Sequence, residues 1–395
     1  MHTVFGPGGS GVTAVAAAGA VSRPRARRPE VRSPLAADRH TLLVTVDRCS
    51  PVPDILGVFR SPNDVVAVSS HLHLLCLERL TSATTSWALF AELLADTVRR
   101  SKITLPFVDT LAGIDQAEVT SLPGVEDALL LRRIRDEAVS GQWQRIVVDL
   151  SGVGDPYQLL DAPSTLRHSL DRLWPRHRRL AAAADRPAVA QLTTAVDTID
   201  RDCADVAELL RDADTTAAHL VVGSGHRGAR LLPHQLASID LLGLPLRTIY
   251  LDDATAESGR RELVPDEIDI APGVDIRGVA ALDTPLDRPA RLKKLGVTLL
   301  APSGRAHGSS ALSVVGDEAD GLDTTYELSW PQTLPDPGRF MLGRSGDDLL
   351  VTVDGLRHCL PLPSVLRRCV VDDADWDGQQ VRIRFRPDPA VWPRR

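Results

Sequence analysis

The chain has 395 residues, 43% apolar and 25% charged, enough for roughly two to three packed domains and too apolar for a disordered or fibrous protein. A formal charge of −7 argues against a dedicated nucleic-acid binder, and no run of about 18 apolar residues suggests a membrane span. The chain opens on an apolar strand, Thr3–Phe5, followed by a glycine-rich turn and a small-residue helix, Val12–Val21. No basic segment followed by an apolar stretch precedes them, so no signal peptide is read and a cytoplasmic protein is expected. Residues 22–39 are rich in Arg and Pro. Pro24 and Pro29 break any helix there, giving a solvated loop whose arginines could also meet an anion or acidic lipid.

Leu42–Val46, Ile146–Leu150, Leu220–Val222 and Thr248–Leu251 are short runs apolar on both faces, the pattern of buried parallel strands. Helical patterns separate them at about 84–100, 124–141, 157–183, 187–212 and 230–242. This alternation predicts an α/β fold with a doubly wound, mostly parallel sheet over residues 1–300. A helical subdomain is expected at about 60–115 and 157–212. Residues 301–323 read as a linker and 324–395 as a small β-sandwich. Its expected strands are Thr325–Ser329, Leu349–Val353, Leu356–Leu360 and Val381–Phe385, with tight turns at Asp354-Gly355 and Asp377-Gly378. Cys49, Cys76, Cys203, Cys359 and Cys369 are scattered with no CxxC pair, so neither zinc nor a disulfide framework is expected.

The segment Gly6-Pro7-Gly8-Gly9-Ser10-Gly11-Val12-Thr13-Ala14 lies between a strand and a helix, where a phosphate-binding loop belongs. Glycines let backbone N–H groups converge on a phosphate, the helix N-terminus adds positive potential, and Thr13 stands where a hydroxyl would hold Mg²⁺. The pattern GxxxxGK[ST] is met from Gly6 except that Val12 replaces the lysine. The same glycines would equally serve a turn that binds nothing.

The chain resembles the ArsA family of P-loop ATPases, which includes arsenite-pump ATPases and the targeting ATPases of tail-anchored membrane proteins. Gly6, Gly8, Gly9, Gly11 and Thr13 match the family loop GKGGVGKT, with Pro7 and Val12 at its two lysines and Ser10 at its valine. Val44 to Gly57 resembles the switch I segment VSTDPAHSLSDVLG, placing Asp47 on the carboxylate that positions the attacking water. Ile146 to Asp155 resembles VVVDTAPTGH of switch II, keeping Asp149 and Gly154 and departing at the Thr, Pro and His positions. Ala218–Asp252 resembles a strand–helix–strand unit whose adenine-contacting Asn would fall near Leu251. Residues of about 325–387 resemble the small heat-shock-like (α-crystallin-type) domain appended to some bacterial members.

The resemblance implies ATP with Mg²⁺ as cofactor, with Thr13 and Asp149 serving the metal and Gly6, Gly8–Ala14, Asp149 and Gly154 the nucleotide. It also implies a dimer, either of this chain or with a paralogue that keeps both lysines, and a hydrophobic or membrane-protein client. Loss of both lysines removes the cations that neutralise phosphate charge, so slow or absent hydrolysis is expected, the signature of a pseudo-ATPase or regulatory subunit. One alternative is an active ATPase using a substitute cation, for which Arg48 beside Asp47 is a candidate. Another is a client-binding module indifferent to nucleotide.

Three further signals carry both a functional and a structural reading. Gly223-Ser-Gly225-His-Arg-Gly228 is a GxGxxG with Asp252 and Asp253 closing the next strand, a dinucleotide-site spacing that also suits a simple βα turn. His226, Arg227 and Arg230 there could contact an anion. His71 and His73 could ligate a metal from a strand or be ordinary packed side chains. Cys76 and Cys203 are too isolated in sequence to be read as arsenite ligands, and Trp143, Trp174 and Trp330 read as packing residues.

Overall fold

The computed structural model describes residues 1–22, 40–101, 114–118, 124–185, 187–223, 225–252, 270, 272–279, 285–304, 310–315, 322 and 324–392. The Arg- and Pro-rich stretch 23–39, Lys102, Ser224 and Asp253 fall outside them. Eight strands share one sheet in the order β3-β4-β2-β5-β1-β6-β7-β8, and every described pairing is parallel except β3 with β4. They are β1 (His2–Phe5), β2 (Thr41–Thr45), β3 (Val65–Ala67), β4 (Leu72–Cys76), β5 (Arg145–Asp149), β6 (Ala217–Gly223), β7 (Leu246–Asp252) and β8 (Asp275–Val279). The chain divides into two compact units, Met1–Leu210 with Leu282–Leu299, and Arg211–Ala281 with Leu300–Arg395.

In the first unit β1 is buried along its whole length, and β2 and β5 over all but their first residue, as continuous apolar runs require. Its helices are α1 (Val12–Val21), α2 (Val52–Leu56), α3 (Arg79–Ser101), α4 (Val125–Val139), α5 (Pro156–Leu173), α6 (Arg176–Asp185), α7 (Pro187–Arg211) and α9 (Pro289–Lys294). Helix α1 is apolar all round and almost wholly buried, and Gly19 lets Leu299 press against it. Its C-terminus meets the half-buried Arg145 guanidinium, whose Nη2 donates to the carbonyls of Gly19 (2.5 Å), Ala20 (2.9 Å) and Ser22 (3.2 Å). A cation there satisfies orphan carbonyls and complements the helix dipole. Around α6 and α7, Arg179 is buried and donates to Asp197 (3.0 Å) and to the Trp174 carbonyl (3.0 Å).

Two sequence expectations are corrected here. Within 60–76 the chain forms β3 and β4, because Leu72–Leu77 is too apolar and too short for a surface helix. Within 301–323, β9 (Ala311–Val315) pairs with β10, so that stretch is not all linker.

The second unit carries β6, β7, β8 and helix α8 (His226–Leu242), followed by two antiparallel sheets. One has the order β14-β15-β10-β9, with β10 (Thr325–Pro331), β14 (Cys369–Trp376) and β15 (Gln380–Pro387). The other has the order β11-β12-β13, formed by Phe340–Ser345, Asp348–Val353 and Leu356–Pro361. Asp354 and Gly355 adopt φ of 52° and 88°, the left-handed pair that a two-residue hairpin turn demands. The core of these sheets includes Leu328, Trp330, Val351, Ile383 and Phe385 and takes in Ala237 and Leu241 of α8. Gln332 donates to the Ala237 carbonyl (2.9 Å), and the Thr333 amide donates to Asp240 (2.9 Å). His234 meets Asp354 at 2.5 Å and Arg211 meets His358 at 3.2 Å. The two antiparallel sheets and α8 therefore share a single core.

Two predictions follow from this packing. A β-carbon on Gly228 would lie 1.8 Å from the Gly223 carbonyl, whereas one on Gly225 meets nothing within 4 Å. Gly228→Ala should cost about 3 kcal/mol and Gly225→Ala under about 1 kcal/mol in thermal unfolding. Burial raises the Asp240 carboxyl to about 6, opposed by the hydrogen bonds from Thr333. The folded state then binds more protons than the unfolded one between pH 4 and 6, so this group's contribution to stability falls as pH rises through that window. Asp240→Asn removes that loss, and its stability relative to the parent should rise by about 2 kcal/mol from pH 4 to pH 7 in chemical denaturation.

Candidate functional site

The loop Gly6–Gly11 joins β1 to α1 at the C-terminal end of the central strands. Gly9 and Gly11 have φ of 81° and 83°, a region any side chain resists, so these glycines are required by the turn itself. The Ser10 hydroxyl donates to the Pro7 carbonyl at 2.6 Å and closes the loop from within. Pro7 offers no N–H, removing one donor from the set that could face an anion. Gly6 is half-buried and Gly8 exposed. Val12, the first residue of α1, is 6% exposed and belongs to the hydrophobic core. The position where a lysine would face a phosphate therefore holds a buried apolar side chain.

Thr13 and the half-buried Ala14 follow on α1. The Thr13 hydroxyl donates to Ser151 Oγ (2.8 Å), and the Ser151 amide donates to Asp149 Oδ1 (3.0 Å). Thr45 at the end of β2 reaches Asp149 Oδ2 at 3.5 Å. Asp149 has no exposed surface, and burial pushes its carboxyl up to about 6. Hydrogen bonds from Ser151 and Thr13 oppose the shift and the Asp47 charge adds to it.

Asp47 follows β2. Its Oδ1 accepts from the Cys49 amide (2.8 Å), and its carbonyl accepts from the Ser50 amide (3.2 Å) and from Arg60 Nη2 (3.0 Å). Gly152 has φ of 72°, and a β-carbon there would lie 2.4 Å from Asp47 Cγ. The two segments read as switches thus touch through the Asp47 carboxylate and the bare Gly152 backbone. Gly154 lies just beyond, with open space where a side chain would be, and Asp155 caps α5 through the Tyr157 amide (2.9 Å).

The structure thus gathers the loop, Thr13, Asp47 and Asp149 into one neighbourhood. Thr45, Arg60, Ser151 and Gly152 join it without having been singled out from the sequence. Ser151 and Gly152 stand at positions departing from VVVDTAPTGH, and the departure at 152, Gly for Pro, was the readable signal. Arg48 is exposed. Gly228 explains the GxGxxG differently, since its hydrogen lets α8 lie against Gly223, while His226, Arg227 and Arg230 are exposed. His73 stacks against His40 (5.3 Å) and Trp143 (5.0 Å). Among the described residues, no group of three or more His, Cys, Asp or Glu could hold a metal ion.

Comparison with known proteins decides the family. The model for the anion-transporting ATPases of the ArsA type matches residues 1–226, more than half of the chain. The chain belongs to the ArsA ATPase family. The HSP20-like domain found in ArsA matches residues 323–385, where the two antiparallel sheets lie. The ArsA-type chain is 31% identical to SCO2128 of Streptomyces coelicolor, over 99% of this chain and 98% of that one. It is 29% identical to Protein Rv2184c of Mycobacterium tuberculosis, over 90% and 91% of the two chains. A putative arsenical pump-driving ATPase of Chlorobaculum tepidum is 21% identical over 97% and 95%. No helix among the described residues is long and apolar enough to cross a membrane.

The Asp47–Gly152 contact is testable by itself. Gly152→Ala forces both a positive φ and a clash, and should lower stability by about 2 kcal/mol in thermal or chemical unfolding. Gly154→Ala, with open space around it, should cost under about 1 kcal/mol.

Proposed function

We propose that this chain is a nucleotide-switch member of the ArsA family whose loop no longer supports phosphoryl transfer. In this reading it binds Mg-ATP weakly, hydrolyses it slowly or not at all, and serves as the regulatory half of a dimer with a paralogue that keeps both lysines. The observation that carries the reading is Val12, buried in the core at the first position of α1. Phosphoryl transfer depends on neutralising charge on the transferred group, and an apolar side chain supplies none. Of the three lysines, Lys293 and Lys294 are exposed on α9, and none lies near the loop in sequence.

The remaining donors fit a magnesium nucleotide. The amides of Gly8–Ala14 would cradle the phosphates, and Thr13 and Asp149 would serve the metal. Bound Mg-ATP would bring the phosphoryl group and most of the positive charge. Gly154 would lend switch II its freedom to move. Asp47, held by Cys49 and Gly152, would orient a water. A pump-driving role like that named for the Chlorobaculum relative is less well supported, because Cys76 and Cys203 are buried and burial raises their thiols, Cys203 to about 11.

The test is phosphate release from Mg-ATP by the full-length chain. Alone, it should turn over no faster than on the order of once per hour, the scale of a phosphoryl-transfer site without its stabilising cation. Mixed with the intact paralogue, it should change that partner's rate. Rapid turnover by the lone chain, abolished in Asp47→Asn, would contradict the reading.

A further inference from the structure

The ground around the loop is anionic. Asp47 and Asp149 both border it, and Asp149 feels the Asp47 charge. A polyphosphate seated there would gain from a cation of the chain beside its metal ion. Arg145 is spent on the carbonyls at the far end of α1, and Arg48 is exposed. We infer that Arg60 is the residue that answers phosphate charge at this site, and that the ligand it selects is a nucleoside polyphosphate over a monophosphate. The inference rests on the reading that the loop takes a nucleotide.

Arg60 lies on the stretch that leaves α2 through Gly57, whose φ of 70° turns the chain back. The stretch is tied down again at Asn63, whose amide donates to the Cys76 carbonyl (2.7 Å) and whose side chain accepts from the Glu78 amide (3.0 Å). Between these anchors Phe59 is 95% exposed. Arg60 is half-buried, and among the described residues its one hydrogen bond runs from Nη2 to the Asp47 carbonyl at 3.0 Å. Among the described residues, no carboxylate lies within ion-pair distance of it.

That is unusual company for a guanidinium. A carbonyl uses one of five N–H donors and neutralises none of the charge. Other buried or partly buried arginines of this unit have a carboxylate: Arg135 has Asp202, Arg167 has Asp200 and Arg179 has Asp197. Arg60 is held against the residue that touches Gly152, with its fork largely unused. A planar fork accepts two phosphoryl oxygens together, so its contribution should grow with the number of phosphates.

Titration calorimetry of the full-length chain with Mg-ATP, Mg-ADP and AMP tests this. The parent should bind Mg-ATP more tightly than AMP. Arg60→Gln keeps a donor for the Asp47 carbonyl but loses the charge. It should weaken Mg-ATP by about tenfold or more while leaving AMP within about twofold. Arg60→Lys keeps the charge and should stay within about threefold of the parent. Arg60→Ala is the second charge-free variant, with the same expectation as Arg60→Gln, and Arg48→Ala should bind as the parent does. Mg-ATP binding of Arg60→Gln or Arg60→Ala at parental strength, or equal losses for Mg-ATP and AMP, overturns the role of Arg60 and leaves the nucleotide reading standing. No binding of Mg-ATP by the parent overturns both.

Discussion

Asp149 ends β5, a strand with parallel neighbours on both sides, β1 and β2, and none of its surface meets solvent. A carboxylate in that position is costly unless donors surround it. The Ser151 amide and the Thr45 hydroxyl provide them, and with Thr13 bonded to Ser151 they tie together the loop helix, the end of β2 and the turn after β5. Asp47 then sits against Gly152 because the turn has already been placed. The site is therefore organised by the burial of one acid, before any ligand is considered. Burial accounts for most of the rise of the Asp149 carboxyl to about 6, with the Asp47 charge adding to it.

The C-terminal sheets bear on the rest of the second unit in a comparable way. Gln332 and Thr333 hydrogen-bond to α8, and Ala237 and Leu241 enter the sandwich core. A tethered chaperone-like module would be expected to have a closed core of its own. Here the core is completed by a helix of the α/β fold, so the appended domain and α8 should unfold together, in keeping with a brace on that helix.

Much of the fold was legible because its central strands are continuous apolar runs and its long helices are strongly patterned. Strand β4 was not, falling in a region expected to be helical, nor were β3, β8, β11 and β14, which are partly exposed, and β9 hid in a stretch rich in Gly, Ser and Asp. The loop could be singled out by the spacing of its glycines, and Asp47 and Asp149 by the resemblance of their segments to the family's two switches. Gly152 showed in the sequence only as a departure from the family's Pro, its contact lying 105 positions away, and Arg60 not at all, since its interest comes from the lack of a carboxylate partner among the described residues. Val12 was legible as a missing charge, while its burial in the core needed the structure.

The central claim is that the switch contacts are built into the nucleotide-free chain. Hydrogen exchange of the free protein, followed amide by amide, tests it most directly. Because the Asp47 and Asp149 carboxylates already hold them, the Cys49 and Ser151 amides should be protected without ligand, and Mg-ATP should add little. Free exchange at both amides, with protection appearing only on addition of Mg-ATP, would contradict the account.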